Sequence, residues 1–450
     1  MSTFRSAVGA ALGDETLRRN LIKATTHSLA ARRAVIDAQY PGWDDLREQA
    51  RVIRKCSLDG NAALWMQARR AIEARGGGFT LASTRNDAVD TVARDLEPYR
   101  DAPVVKSKSM VTEELGLRED LERSGFEVYE TDLGELIVQW EDRPPSHITA
   151  PAIHLSREQI GRIFEKKLAV PYTSDPVELT ALARVFLREK FLKARAGVTG
   201  ANFIVAETGT LVLLENEGNI RLTTSLPEKI VAVTGLEKII PTLEDLKVLL
   251  RLLPVSATGQ FQNCYTSFIP LGKGHRLVVY DGWRSRLLQN EEFRDILLCI
   301  RCGACLNICP VYGLLGGHAY QSVYPGPIGV ITGPFLTQRR KAEGGRLKAE
   351  QNLKLSSLCG ACTDICPVKV PIHATILKLR GAASKPWWER AAFGLGRLTS
   401  RPVFWNVALR LARWTPGWIA DAAARPWSKE RGPLRPSKES FASLWKKRSS

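Results

Sequence analysis

Cys299-Ile300-Arg301-Cys302-Gly303-Ala304-Cys305-Leu306-Asn307-Ile308-Cys309-Pro310 spaces four thiols as C-x2-C-x2-C-x3-C-P. In such a run three closely spaced thiolates wrap one iron–sulfur cubane, while the fourth, one residue further on and followed by proline, ligates a second cluster. Soft thiolates suit iron and sulfide, and a cluster performs one-electron chemistry that no side chain can. The competing readings fit less well. Zinc sites use two separated pairs of ligands, and thiols packed this tightly strain as disulfides.

Sliding the chain against itself by 57 positions exposes a repeat. Cys302-Gly303-Ala304-Cys305 and Ile308-Cys309-Pro310-Val311 fall on Cys359-Gly360-Ala361-Cys362 and Ile365-Cys366-Pro367-Val368, whereas Cys299 falls on Ser356. Crossing the fourth ligands assigns Cys299, Cys302, Cys305 and Cys366 to one cluster and Cys309, Cys359 and Cys362 to the other. Two [4Fe–4S] clusters are therefore expected. The second lacks a fourth thiolate, which leaves three choices: an alkoxide from Ser356, a [3Fe–4S] cluster, or a ligand from outside. Cys56 and Cys264 are read as free buried thiols, and His373 as a helix-face group or one that supports a ligand. The spacer between the motifs is long and basic, with a helical pattern over 337–355. This arrangement resembles the helical two-cluster modules of succinate dehydrogenase and of heterodisulfide-reductase-type carriers.

Upstream of this all-helical section the chain changes character. With 450 residues, 44% hydrophobic and 25% charged, it is globular and long enough for two or three domains. Apolar residues at helical spacing over 15–40 and 43–74, with a break near Asp59-Gly60, form a helical N-terminal section, 1–64. From 65 to 290, strand patterns at 79–82, 104–105, 126–129, 136–140, 202–207, 210–215, 230–233 and 277–280 alternate with helical ones at 87–96, 157–164, 177–193 and 243–253. That alternation predicts an α/β domain with a mostly parallel, covered sheet. Two apolar runs joined by Asn216-Glu217-Gly218-Asn219 predict a hairpin. The cluster module occupies 291–380 and a tail 381–450.

No phosphate-binding loop or dinucleotide fingerprint occurs in the α/β section, so nucleotide chemistry lacks support. Polar groups gather where strands should end: Lys106-Ser107-Lys108-Ser109, Thr131-Asp132-Leu133-Gly134-Glu135, Pro145-Ser146-His147, Gly200-Ala201-Asn202 and Glu207-Thr208-Gly209. Ligands bind at such loops in α/β folds. Each also has a plain reading, with Lys106 and Lys108 on a solvated face, Glu207 capping a turn and His147 a satisfied loop residue. No nucleophile–base pair emerges, so catalytic residues stay unassigned.

The net charge is +17, and the tail 381–450 holds 14 Lys/Arg against 4 Asp/Glu together with seven of the 11 tryptophans. Residues 404–412 pattern as an amphipathic helix that could dock on a protein or lie on an anionic membrane surface. Docking on a protein is the stronger reading, and nucleic acid the weakest, so no nucleic-acid partner is expected. There is no run of about 18 apolar residues and no export signal, which places the chain in the cytoplasm, free or at the inner membrane face.

Taken in order, VVKSKSM, TDLGE, PPSHITAPAIH, GANFIVAETGTLVLLENEGN, CIRCGACLNICPVYG and SSLCGACTDICPVKVPIH, followed by the Trp/Arg tail, resemble the lactate utilisation protein B family over nearly the whole chain. The resemblance implies that 65–290 is a lactate-utilisation domain with a fold similar to sugar isomerases and CoA transferases. It implies an iron–sulfur electron-transfer subunit in bacterial oxidation of L-lactate to pyruvate, working with companion proteins of the same operon and a membrane or quinone-linked acceptor. The family's ligands carry over onto Cys299, Cys302, Cys305, Cys309, Cys359, Cys362 and Cys366. The alternative is that the α/β domain itself binds and acts on a hydroxy acid, with the clusters as its wiring; whether the chain alone is an enzyme stays open.

Overall fold

The computed structural model describes residues 4–336 and 349–383, with the isolated positions 445 and 448. Most of the helical spacer read at 337–355, and the tail from 384 onward including its amphipathic helix, lie outside the described residues. Compactness divides the chain into Met1–Gly381 and Ala382–Ser450, and the architecture below belongs to the first unit.

Four helices open the chain: α1 (Phe4–Gly13), α2 (Glu15–Gln39), α3 (Trp43–Asp59) and α4 (Asn61–Ala74), with the break at Gly60 as expected. Asp14 starts α2 by accepting from the Leu17 N–H at 2.8 Å. The α/β section follows with two sheets. Strands β1 (Gly78–Ala82), β2 (Val104–Lys106), β3 (Val128–Glu130), β4 (Ala196–Thr199), β7 (Lys229–Gly235) and β10 (His275–Tyr280) form a six-stranded sheet ordered β1-β10-β7-β4-β2-β3. Every pairing in it is parallel, with Val105 of β2 opposite Tyr129 on one side and Gly197 on the other. Strands β5 (Phe203–Val205), β6 (Thr210–Glu215), β8 (Ile239–Ile240) and β9 (Tyr265–Pro270) form a smaller mixed sheet.

The parallel sheet is covered by helices, as its Val-rich strands require. Val92 and Leu96 of α5 (Arg85–Leu96) and Leu115 of α6 (Met110–Leu115) pack on Val104, Val198, Val231 and Val278, all fully or almost fully buried. From β2 the chain steps outward to β3, then returns across β2 to β4. The loops leaving β2 and β4 therefore diverge, opening a crevice at the carboxyl ends of the strands.

Three local expectations change. Residues 136–140 form no strand but the end of helix α8 (Leu133–Trp140), because Asp132 caps it by accepting from the Glu135 N–H at 3.0 Å. A short apolar run has no period of its own, and the Asp-x-x-Glu start decides it. The hairpin lies one turn earlier than expected: β5 and β6 pair antiparallel across residues 206–209. After β6, Gly218 at φ 80° turns the chain into α11 (Asn219–Ser225), and the Glu215 carboxylate accepts from the Ile220 and Arg221 N–H groups at 2.7 and 2.9 Å. Strands β4 and β9 were not expected, since Ala-Gly-Val-Thr is short and β9 exposes most of its side chains.

Candidate cluster sites and the adjoining cavity

The sequence repeat is also a backbone repeat. Arg301 and Gly303 take φ of 61° and 78°, and their counterparts Leu358 and Gly360 take 58° and 86°. The short helices Ala304–Asn307 and Ala361–Asp364 follow at equivalent positions. A left-handed residue other than glycine costs roughly 1–2 kcal/mol, so Arg301 and Leu358 are held there by their surroundings. In both loops that residue's N–H donates to the side chain two positions earlier: Arg301 to Cys299 Sγ at 3.4 Å, Leu358 to Ser356 Oγ at 3.1 Å. The Ser356 hydroxyl thus occupies the place in the second loop that the Cys299 thiol has in the first.

The seven motif cysteines fall into two groups. Burial pushes the Cys302 thiol up to about 12, with Cys366 and Cys299 adding to it. Burial raises Cys305 as well, and Cys299, Cys302 and Cys366 act on it in turn. Cys366 is pushed up to about 11 by burial and then by Cys299. In the other group burial raises Cys362 to about 11, followed by Cys309 and Cys359. Cys359 is exposed, and the Ala361 N–H and then Ser357 hold it below the usual thiol range. Each motif therefore sends its last cysteine to the other's group. Buried thiols this close cannot ionise together unaided, and a bound metal reverses that by taking them as thiolates. The donor chemistry fits two iron–sulfur clusters. Among the described residues no three His, Cys, Asp or Glu side chains are grouped to hold a single metal ion.

The N-terminal helices grip the loops that carry these thiols. Arg54 on α3 is buried and donates to the carbonyls of Leu297 at 2.9 Å, Leu298 and Ile239 at 3.2 Å, and Glu237. Arg47 donates to the carbonyls of Cys366 and Asp364, and Arg32 on α2 to that of Ile365. From the α/β section, His147 accepts at Nδ1 from the Thr149 and Ala150 N–H groups, which leaves its Nε2–H to donate to Asn307 Oδ1 at 3.2 Å. Tyr312 donates to the Ser146 carbonyl at 2.8 Å. Pro145-Ser146-His147 is thus the seam with the cluster module.

A buried ion network continues the seam. Arg284, fully buried, pairs with Glu114 at 2.9 Å and Glu237 at 2.5 Å, while Tyr324 donates to Glu114 at 2.9 Å. Arg301 lies over the Tyr324 ring, 4.3 Å from its centre. Cations consequently surround the first thiol group: Arg54 and Lys238, pulled down by burial to about 10 and about 8, both feel Cys299, and Arg32 feels Cys302 and Cys366. Cys359 of the second group instead feels Asp364.

Against the first loop lies a cavity of about 260 Å3. Lys108, Ser109, Asp132 and the Gly200-Ala201-Asn202 turn reach it from the ends of β2, β3 and β4; the sequence reading puts the Gly200 turn at the start of a strand, whereas it is the loop that follows β4. Other expected residues do not. Lys106 is fully buried and bonded to Glu130 at 2.5 Å and Glu113 at 3.2 Å, so it lies on no solvated face. Glu207 caps α12 (Leu243–Thr258) through the Leu243 N–H at 2.7 Å. His373 bonds Thr363 Oγ1 at 2.8 Å, between two motif cysteines. Cys56 and Cys264 are exposed rather than buried. Sequence reasoning missed Arg301, Lys238, Glu217 and Tyr324, which also line the cavity. Glu215-Asn216-Glu217-Gly218-Asn219, a polar run directly after an apolar strand, was the available signal.

An α/β domain whose cavity abuts a cysteine loop of iron–sulfur type defines the class, and comparison with known proteins agrees. Residues 65–278 match the LUD domain and residues 295–370 the 4Fe-4S dicluster domain. Lactate utilization protein B of Bacillus pumilus is 38% identical over 99% of this chain and 97% of its own. The Oceanobacillus iheyensis protein of that name is 39% identical over 90% and 88%, and Lactate utilization protein B 2 of Bacillus mycoides is 39% identical over 98% and 96%. The chain belongs to the lactate utilization protein B family. A solved DUF162 family protein from Deinococcus radiodurans overlaps 49% of this chain and 98% of its own, at 16% identity and a TM-score of 0.29.

Proposed function

We propose that the chain is the iron–sulfur electron-transfer subunit of a multi-protein system oxidising L-lactate to pyruvate. The exchange of Cys309 and Cys366 between the two thiol groups carries this reading, because crossed ligation is what holds two clusters side by side. When bound, the clusters supply one-electron chemistry. The chain's own part is to bury the first, through Arg32, Arg47 and Arg54, and to leave the second near the surface at Cys359. Ser356, with its hydroxyl where Cys299 has its thiol, is the fourth ligand of the second cluster. Companion proteins of the same operon deliver and collect electrons, in the cytoplasm or at the inner membrane face; among the described residues no helix is long and apolar enough to cross a membrane. The division 1–64, 65–290, 291–380 and 381–450 is the working map of the chain.

Single cysteine variants test the crossing. Cys366→Ala should abolish the reduced EPR signal of the first cluster and spare the second, and Cys309→Ala should do the reverse. Variants that each remove only the cluster of their own motif would contradict the assignment. At the level of function, deleting the gene should stop growth on L-lactate as carbon source, and unchanged growth would remove the pathway.

A further inference from the structure

The geometry points to a second function for the α/β domain: the cavity between the ends of β2, β3 and β4 and the Cys299–Cys302 loop binds a small monocarboxylate, held by Lys108 and Arg301. This deepens the alternative in which that domain takes the hydroxy acid itself, and it does not depend on the electron-transfer assignment.

The cavity lies where the parallel sheet changes winding direction, the usual ligand crevice of such folds. At about 260 Å3 it falls just under ordinary ligand pockets, which run from about 300 to 1,000 Å3, so it suits a small metabolite rather than a dinucleotide.

Two cationic side chains at the cavity each carry a donor without an acceptor. Lys108 Nζ and Arg301 Nη1 are both buried and donate to no acceptor among the described residues. Glu135 Oε1 stands 3.7 Å from Lys108 Nζ, and Glu237 Oε1 stands 3.7 Å from the other terminal nitrogen of Arg301, Nη2, both beyond hydrogen-bond reach. The Arg301 side chain is only 7% exposed. Leaving such donors unmatched is costly, and an anion in the cavity they line supplies the acceptors. A planar carboxylate matches the guanidinium fork.

Carboxyl groups set the ligand's other end. Glu217 stands close to Asp132 and Glu215 and lines the same cavity. The Glu217 carboxyl group can accept a hydroxyl hydrogen, while Asp132 and Glu215, already engaged with backbone N–H groups, add to the repulsion of a second negative charge. The ligand class is therefore a monocarboxylate bearing a hydroxyl, with dicarboxylates excluded. Ile300 and Arg301 come from between two motif cysteines, so an occupant touches the loop of the first cluster.

Calorimetric titration of the full, anaerobically loaded chain with L-lactate, lactamide and succinate tests the site. L-lactate should bind at least tenfold tighter than lactamide, its uncharged counterpart, and succinate should bind at least tenfold more weakly. L-lactate should also shift the EPR signal of the first cluster. Lys108 lies outside the cluster loop, so Lys108→Met should weaken L-lactate at least tenfold with iron content unchanged, and Lys108→Arg should recover part of the loss. Lactamide binding as well as L-lactate, or no L-lactate binding by protein with full iron, would overturn the inference. Either result leaves the electron-transfer reading standing, since only loss of the clusters themselves removes that.

Discussion

Replacing Arg54 with methionine should loosen the whole seam between the N-terminal helices and the first cluster loop. The side chain is 1% exposed and donates to four backbone carbonyls, two of them immediately before Cys299. Hydrogen bonds from a charged donor contribute about 1.5–3 kcal/mol each, and two of these at 3.2 Å belong at the low end. Burial opposes them by pulling the guanidinium down to about 10, a cost of about 3 kcal/mol. The net loss in Arg54→Met is then about 3–6 kcal/mol. Arg33→Met is the control, because Arg33 is 81% exposed and among the described residues pairs with Asp37, an interaction worth at most about 1 kcal/mol. Urea unfolding followed by far-ultraviolet circular dichroism gives the stability change, and iron release to a chelator reports on the loop. A loss under about 1 kcal/mol, with iron release unchanged, would refute the clamp.

Three further outcomes follow from the same contacts. His147 is buried and its pKa is lowered to about 3, first by burial and then by Lys108, so the unfolded chain binds a proton that the folded one refuses. Its contribution is intact above about pH 6.5 and is lost as pH falls toward 3, at about 1.4 kcal/mol per pH unit; His147→Gln should remove that increment from the slope of stability against pH between 6 and 4. Ser356→Cys should keep iron at wild-type content, and Ser356→Ala should lower it by about one per chain with an oxidised three-iron EPR signal; an unchanged Ser356→Ala would show that the hydroxyl ligates nothing. Lys238→Met removes a cation near Cys299 and should lower the reduction potential of the first cluster but not the second, which potentiometric EPR titration reads; equal shifts in both would contradict the local field.

Much of this was legible in the chain because the signals were local. Thiols three or four residues apart, a repeat at a fixed offset and Gly-Ala between cysteines specify a loop that nearby residues build unaided. The parallel sheet followed from alternating strand and helix patterns, and the polar loop after β2 from its place behind an expected strand; the loop after β4 did not, because Ala-Gly-Val-Thr is too short a strand signal. What escaped depends on contacts far apart in sequence. Arg54 meets Leu298 across 244 positions, and Arg284 meets Glu114 across 170, so neither has a neighbour that announces its role. Lys106 and Lys108 are two residues apart and look alike as letters, yet one is fully buried between two glutamates and the other lines the cavity. The misplaced hairpin has a physical cause too. Asn216-Glu217-Gly218-Asn219 has the composition of a turn, and the Glu215 carboxylate converts it into a helix start.

The central claim is that crossed thiolates and Ser356 hold two complete clusters. Iron and sulfide assay with EPR on the anaerobically purified chain, before and after dithionite, tests it most directly. The account predicts about eight irons and eight sulfides per chain, with the reduced spectrum of two interacting four-iron clusters. Zinc without iron, or a single non-interacting cluster, would contradict it.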